Sequence, residues 1–329
     1  LSQMTDDAFS FNEIITCIAI LSEEFQKRTL AYIVHSVNNK LSEGEEIEKL
    51  IDFLTSEISK LTISTGEELG DLKSQIINLL NDIELTDLII VGGASSMGKT
   101  SFALALAYNA AKHTNTPTVI FSYEMSAIQL LRRITSMESA IDNKYITNGT
   151  LDDKELKKVH DSITNLERLP LFIDEGNITS LAYLSYRIKE YVKNKEVKLV
   201  LVDYLQLVTH NSKGGTREQE VGKVARTLKN LAKELNITII ALSQLNRGVG
   251  MRNNSKPTLS DLRESGEIEQ AADVVMLIYS PEYYGIEFDD NGVSSKGTAS
   301  IIFAKGRNIG VGEITLKFIS EITKFTEYA

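Results

Sequence analysis

The most informative segment of the sequence is Gly93-Ala94-Ser95-Ser96-Met97-Gly98-Lys99-Thr100. It follows an apolar run at residues 88–91 and precedes a helical pattern that begins near Lys99. A Gly-x-x-x-x-Gly-Lys-Thr loop between a strand and a helix surrounds phosphate groups with backbone N–H groups and the helix N-terminus. Lys99 would neutralise the β and γ oxygens, and the Thr100 hydroxyl would ligate Mg²⁺. We therefore predict an ATP and Mg²⁺ site formed by the eight loop residues and Ser101.

Short apolar runs alternate with helical segments around this loop. The predicted strands are residues 88–91, 118–121, 199–202 and 238–242, followed by 274–279, 300–304 and 313–319. The predicted helices are residues 99–112, 126–141, 152–166, 181–193 and 218–235. Apolar strands separated by helices are typical of a parallel sheet covered on both faces. The predicted fold class is therefore α/β, a mostly parallel central sheet flanked by helices, with a final hairpin around residues 307–312.

The residues before the sheet have a different pattern. Apolar residues recur at helical spacing over residues 14–37 and again over 47–58, whereas residues 62–70 are polar. We predict helical elements at 1–61, a linker and short helix at 62–86, and the ATPase domain at 87–329. This organisation makes the N-terminal region a helical appendage.

Composition excludes few classes of function. Apolar residues are 42% and charged residues 24%, ordinary values for a globular chain. The single cysteine, Cys17, allows no intrachain disulfide and is interpreted as a small buried hydrophobe. We find no apolar run long enough to cross a bilayer and no leader, so the expected location is cytoplasmic. The net charge of −10 argues against a basic coat but leaves room for a local basic patch.

Two acids and one amide follow predicted strands at the edge that carries the phosphate loop. Asp203 ends the apolar strand 199–202 and is predicted to hold the Mg²⁺ shell, while Glu124 follows the strand 118–121 and is predicted to act as general base. Gln244 ends another strand, where its amide would sense the γ-phosphate. Each of these residues is ordinary when taken alone, since solvated strand-end polar groups are common. Together with the loop they predict nucleotide hydrolysis.

The sequence resembles the DnaB-type replicative helicases, which are RecA-like ATPases. The matching segments are Ser96-Met97-Gly98-Lys99-Thr100, Phe121-Ser122-Tyr123-Glu124-Met125, Val202-Asp203-Tyr204-Leu205-Gln206-Leu207, Leu242-Ser243-Gln244-Leu245-Asn246-Arg247, Leu259 to Gln270, and Lys305-Gly306-Arg307-Asn308. The resemblance covers about residues 88–325. It implies a homo-hexameric ring that hydrolyses ATP, moves 5′ to 3′ along single-stranded DNA and unwinds the duplex.

The resemblance also implies a role for a distant basic pair. In such rings ATP lies between subunits, and Lys305 and Arg307 would reach the γ-phosphate held by the neighbouring subunit. A fixed guanidinium there neutralises transition-state charge and makes hydrolysis depend on the subunit interface. Without the resemblance, Arg307 would be interpreted as a solvated charge at a hairpin tip.

Two loops, at about residues 209–217 and 246–260, would face the DNA in the channel of the ring. They are flexible in composition and locally basic, which suits sequence-independent contact with a phosphate backbone. The predicted DNA-contacting residues are Lys213 and Arg217 in the first loop, Arg247, Arg252 and Lys256 in the second, and, by resemblance, Arg263, Glu264 and Gly266. Neither loop contains an aromatic residue, so base stacking is not expected to dominate. The alternative interpretation of any one of these residues is an ordinary solvated surface position.

Other partners and functions stay open at this point. A helicase loader is an implied partner, whereas primase is doubtful because the N-terminal region is shorter than the family's whole collar domain. The alternatives to a helicase are a RecA-like recombination or repair ATPase that binds DNA without unwinding it, and a non-catalytic replisome assembly module. The segment Arg263-Glu264-Ser265-Gly266 and the Lys305/Arg307 pair favour the helicase.

Overall fold

The computed structural model describes residues 86–175, 179–208, 217–246, 256–262, 265–288, 294–307 and 311–327. The predicted N-terminal helices and Cys17 lie outside these residues, as does nearly all of the predicted linker. In the part that is described, no helix is both long and apolar enough to cross a membrane.

Nine strands within the described residues form one sheet. Their bounds are Leu88–Gly93 (β1), Thr118–Ser122 (β2), Leu171–Glu175 (β3), Leu199–Asp203 (β4), Thr238–Gln244 (β5), Val274–Tyr279 (β6), Thr298–Gly306 (β7), Gly312–Ile319 (β8) and Lys324–Glu327 (β9). Their order is β3-β2-β4-β5-β1-β6-β7-β8-β9. The six strands from β3 to β6 in this order are parallel, and β7, β8 and β9 are antiparallel to their neighbours. The predicted strands and the predicted β7–β8 hairpin are confirmed.

The described residues also contain seven α-helices. They are Lys99–His113 (α1), Ala127–Ser139 (α2), Asn143–Asn148 (α3), Asp153–Leu166 (α4), Leu181–Lys195 (α5), Arg217–Leu235 (α6) and Ser265–Ala271 (α7). The five predicted helices are confirmed as α1, α2, α4, α5 and α6, whereas the sequence reasoning did not identify the short helices α3 and α7.

The core lies in two layers, one on each face of the sheet. Successive side chains of a strand point to opposite faces, so β1 contributes to both layers. Ile89 and Val91 pack with residues of α1 and α2, while Leu88 and Ile90 pack with residues of α5 and α6. All four are buried, and each fully buried residue of this size contributes about 1.5–3 kcal/mol to folding. This burial fixes β1, and with it the phosphate loop, in the middle of the sheet.

Candidate nucleotide-binding and hydrolysis site

The loop after β1 adopts a conformation that requires glycine at one position. Gly98 immediately precedes α1 and has φ 80°, a left-handed value that favours glycine. A Cβ atom at this position would also lie 3.1 Å from Cζ of Phe318 and 3.2 Å from Cζ of Phe325. Gly98 has no side chain to cap α1, so the first-turn N–H groups stay available to an anion.

Lys99 is held at the carboxyl ends of the central strands. Its Nζ donates a 3.2 Å hydrogen bond to the backbone oxygen of Ser243 and lies 5.6 Å from the centre of the Tyr204 ring. Burial lowers the pKa of Lys99, while the carboxylates of Asp203 and Glu124 act in the opposite direction. The ammonium group is therefore positioned beside the two acids that the sequence predicted for the same site.

Thr100 and Asp203 form the candidate metal site. Oγ1 of Thr100 donates a 3.0 Å hydrogen bond to Oδ2 of Asp203, and Oδ1 of the same carboxylate is buried without a hydrogen-bond partner among the described residues. Burial raises the pKa of Asp203, an effect that Thr100 and Lys99 oppose. Carboxylate and hydroxyl oxygens are donors that Mg²⁺ prefers, and an unpartnered oxygen beside the phosphate loop fits a hydrated Mg²⁺ ion.

Glu124 and Gln244 reach the site through strand pairing. Ser122 pairs with Asp203 and Gly93 pairs with Gln244, because the parallel strands end at one edge of the sheet. The hydroxyl of Ser122 donates a 2.7 Å bond to the backbone oxygen of Met125, and this bond fixes the turn that carries Glu124. Glu124 is exposed and borders the loop cavity, where a water molecule has access to it.

Gln206 connects two of the predicted segments, although the sequence reasoning gave it no role. Its Nε2 donates a 2.9 Å bond to Oγ of Ser243, and its Oε1 accepts a 3.4 Å bond from the backbone N–H of Gln244. The segment after β4 is thus joined directly to the end of β5.

Arg133 is a second residue of the site that sequence reasoning missed. Burial lowers the pKa of its guanidinium, and the carboxylates of Asp203 and Glu124 act in the opposite direction. It lies on α2 between Leu130 and Ile134, which are both buried. An arginine on the apolar face of a predicted helix was the signal that could have found it.

Most of these residues line one cavity of about 250 Å³, whereas Asp203 and Gln206 do not line it. Its lining residues are Ala94, Ser95, Ser96, Gly98, Lys99, Thr100, Glu124, Met125, Arg133, Tyr204 and Gln244. Gly93, Met97 and Ser101 were also predicted to bind the nucleotide, but all three are buried and they are not among the lining residues. The other six predicted residues line the cavity, and their role in binding the nucleotide stays a prediction.

Lys305 and Arg307 lie at the amino-terminal ends of the parallel strands, whereas the phosphate loop lies at their carboxyl ends. β7 runs antiparallel to β6, so Lys305 pairs with Val275 at the start of β6, whereas Gly93 pairs with Ile278 near its end. Three residues of strand separate these positions, or about 10 Å at 3.3 Å per residue. The basic pair therefore lies away from the phosphate loop of its own chain.

Few of the predicted DNA-contacting residues lie within the described part of the chain. Lys213, Arg247, Arg252, Arg263 and Glu264 lie outside it. Gly266 belongs to α7. Arg217 begins α6 and forms a 2.8 Å ion pair with Glu220, and Lys256 forms an ion pair with Glu313.

Comparison with known proteins agrees with the geometry of the site. The family model described as DnaB-like helicase C terminal domain matches residues 73–327. This chain belongs to that family. The DnaB-like chain is 41% identical over 253 residues to a probable replicative DNA helicase of Trieres chinensis, covering 76% of this chain and 55% of that protein. It is 36% identical over 295 residues to the replicative DNA helicase DnaB of Buchnera aphidicola subsp. Baizongia pistaciae, covering 88% and 63%.

A solved structure supports the same assignment. This structure is of a DnaB-like replicative helicase and its interactions with primase. It has a TM-score of 0.69 and 27% sequence identity to the present chain, and the match covers 94% of the present chain and 78% of the solved one. The predicted family and RecA-like fold class are thereby confirmed. The DnaB-like chain spans only 55% and 63% of the length of the two curated relatives.

Proposed function

We propose that this chain is the ATPase motor of a replicative DNA helicase, which forms a hexameric ring and moves 5′ to 3′ along single-stranded DNA while it unwinds the duplex. The observation that carries the proposal is the distance between the two halves of the predicted site. The phosphate loop lies at one edge of the sheet and the Lys305/Arg307 pair lies at the other. A complete site of this kind needs a second copy of the chain.

The residues around the cavity supply one half of the chemistry. The N-terminus of α1 and Lys99 bind the β- and γ-phosphates, while Thr100 and Asp203 hold the metal. Mg²⁺ held there would offset the negative charge of the phosphates. Glu124 borders the same cavity and accepts the proton of the attacking water. Gln244, at the end of β5, responds to the γ-phosphate, and its contact with Gln206 relays that response.

The neighbouring subunit supplies the other half. Arg307 has a side chain that is 53% exposed, and only two N–H groups of its guanidinium have acceptors in the described part of the chain. A guanidinium has five N–H donors, so several remain for the γ-phosphate held by the next subunit. Such a contact in trans accelerates phosphoryl transfer by about 10³–10⁵-fold and prevents an isolated subunit from hydrolysing ATP efficiently.

Single-stranded DNA is the proposed substrate of translocation. Lys213, Arg217, Arg247, Arg252, Lys256, Arg263, Glu264 and Gly266 are proposed to contact its phosphates. α6 begins where the first loop ends, and α7 begins a few residues after the second loop. The net charge of −10 confines any such contact to a local basic surface, as inside a ring. A helicase loader remains a proposed partner.

The test is steady-state ATP hydrolysis by the hexameric preparation, with and without a single-stranded oligonucleotide, together with unwinding of a forked duplex. We expect the oligonucleotide to stimulate hydrolysis and Lys99→Ala to abolish it. Unwinding that requires a 5′ tail supports the helicase. If the oligonucleotide stimulates hydrolysis but no duplex is unwound, the chain is a recombination-type ATPase. If the rate of hydrolysis is the same with and without the oligonucleotide, the proposal is rejected.

A further inference from the structure

A buried carboxylate lies directly beneath Arg307. Asp273 precedes β6 and is only 4% exposed. Its Oδ1 accepts a 3.1 Å hydrogen bond from Arg307, and its Oδ2 accepts a 2.9 Å bond from the backbone N–H of Leu88 and lies 2.5 Å from Nζ of Lys229. The backbone N–H of Arg307 also donates a 3.1 Å bond to the carbonyl of Asp273. Arg307 is therefore held by both the main chain and the side chain of one residue.

The end of α7 holds the rest of the basic pair. Nζ of Lys305 donates hydrogen bonds of 2.5 and 2.7 Å to the backbone oxygens of Glu269 and Ala272, and Arg307 donates a 3.3 Å bond to that of Gln270. The unpaired carbonyls at a helix C-terminus carry partial negative charge, which suits cations. Both cations are thus fixed to the helix that follows the second predicted DNA loop.

α6, which follows the first predicted DNA loop, reaches the same cluster. Nζ of Lys229 is 2.5 Å from Asp273 and donates a 2.8 Å bond to the backbone oxygen of Thr86. α6 and α7 are also in close contact, because a Cβ on Gly222 would lie 2.5 Å from Cβ of Glu267. The cluster therefore joins Arg307 to both helices and to the start of β1.

We propose that Asp273 is a positioning residue that holds Arg307 ready for the neighbouring subunit's ATP, and that the end of α7 helps to fix this position. The inference rests on the proposed function, since it assigns the partner of a residue that acts in trans. Asp273 and the backbone oxygen of Gln270 each accept one N–H of the guanidinium, and the remaining donors stay available, so these contacts orient Arg307 without blocking it.

The test uses Asp273→Asn in the full chain, assembled as rings. Removing the charge should lower kcat by about 10²-fold, because a small misplacement of a catalytic group has an effect of this size. The Kd for ATP should stay unchanged, since the subunit's own phosphate loop lies at the other edge of the sheet. Asp87→Asn is the matched control. Asp87 contacts Lys229 in the same cluster but is not an acceptor of Arg307, and its variant should keep wild-type kcat.

A loss of folding is separated from a loss of positioning by a second variant. Lys229→Gln removes the buried cation beside Asp273 but leaves the carboxylate that accepts from Arg307 in place. This variant should lower the thermal stability of the rings, because Asp87 and Asp273 both lose their ion pair with Lys229, while kcat stays near the wild-type value. A fall in kcat as large as that of Asp273→Asn would overturn the inference.

Complementation shows whether the defect acts in trans. Rings mixed from Asp273→Asn and Lys99→Ala subunits should hydrolyse ATP faster than either parent, because a Lys99→Ala neighbour supplies a correctly held Arg307. Arg307→Ala mixed with Lys99→Ala is the benchmark. A rise in the benchmark without a rise for Asp273→Asn overturns the inference and leaves the proposed function standing. No rise in the benchmark rejects the trans site, and the inference with it.

Discussion

Thr100 and Asp203 are joined by a 3.0 Å hydrogen bond although they lie 103 residues apart in the chain. The bond connects the first turn of α1 to the end of β4, two elements that the sheet brings to the same edge. It occupies only Oδ2 of the carboxylate, and Oδ1 remains buried without a hydrogen-bond partner in the described residues. A buried acceptor is costly unless it is paired, so we expect a hydrated cation to bind at this oxygen.

The first prediction is that Asp203→Asn weakens Mg²⁺ binding more than nucleotide binding. The amide still accepts from Thr100 but lacks the negative charge that holds the metal shell. We expect the Mg²⁺ concentration for half-maximal hydrolysis to rise about 10- to 100-fold, the usual effect of disturbing a metal's supporting residues. The measurement is an Mg²⁺ titration at saturating ATP. In excess EDTA, the Kd for ATP should match that of the wild type. An unchanged titration curve would assign the metal to other residues.

The second prediction is that Glu124→Gln binds ATP but hardly hydrolyses it. A glutamine keeps the size of the side chain and cannot accept the proton of the attacking water, so kcat should fall by about 10²–10⁴-fold while Kd is retained. Single-turnover hydrolysis and equilibrium binding measure the two effects. Glu175→Gln is the control. Glu175 is the last residue of β3, which pairs with β2, and it does not line the cavity. Turnover near the wild-type rate in Glu124→Gln would transfer the role of base to another residue.

The sequence predicted the central part of this structure because local signals and topology agree there. The strands that carry Gly93, Asp203 and Gln244 are apolar throughout, and a parallel arrangement brings their ends together. β3 was missed because it is an edge strand that is only half-buried and ends in Asp174-Glu175. β9 is four residues long and begins with a lysine, so its pattern is too short to recognise.

The partners of the basic pair could not be predicted from the sequence. Lys305 and Arg307 were assigned to a neighbour's site by resemblance, and no local pattern shows that they also bind the end of α7 and Asp273. That contact depends on the antiparallel pairing of β6 with β7 and on a helix of seven residues. Such an arrangement depends on tertiary packing, and the spacing of residue types along the sequence does not predict it.

The third prediction concerns Arg133, which borders the cavity from α2. We expect its guanidinium to bind the γ-phosphate from within the same subunit, because Arg133 lines the same cavity as Lys99 and Thr100 of the phosphate loop. Arg133→Ala should lower kcat by about 10²–10³-fold, the usual effect of removing one donor to developing charge. Arg132→Ala is the control, since Arg132 is adjacent to Arg133 on the same helix but does not line the cavity.

Mixed rings distinguish Arg133 from Arg307. A residue that acts within its own subunit cannot be complemented by a Lys99→Ala neighbour, whereas one that acts in trans can. Arg133→Ala mixed with Lys99→Ala should therefore show no gain over its parents. A gain would move Arg133 to the neighbour's site, and wild-type kcat in Arg133→Ala would remove it from the reaction.

The last prediction compares two glycines with the same backbone conformation. Gly98 and Gly149 have φ values of 80° and 68°, so alanine at either position costs about 1–2 kcal/mol in the left-handed region. Nothing lies within 4 Å of a Cβ on Gly149, whereas a Cβ on Gly98 meets the stacked rings of Phe318 and Phe325. Chemical denaturation should show a larger loss of unfolding free energy for Gly98→Ala, and only this variant should bind ATP weakly, because the loop must shift. Equal losses with unchanged ATP affinity would show that the rings yield and that the loop tolerates a side chain.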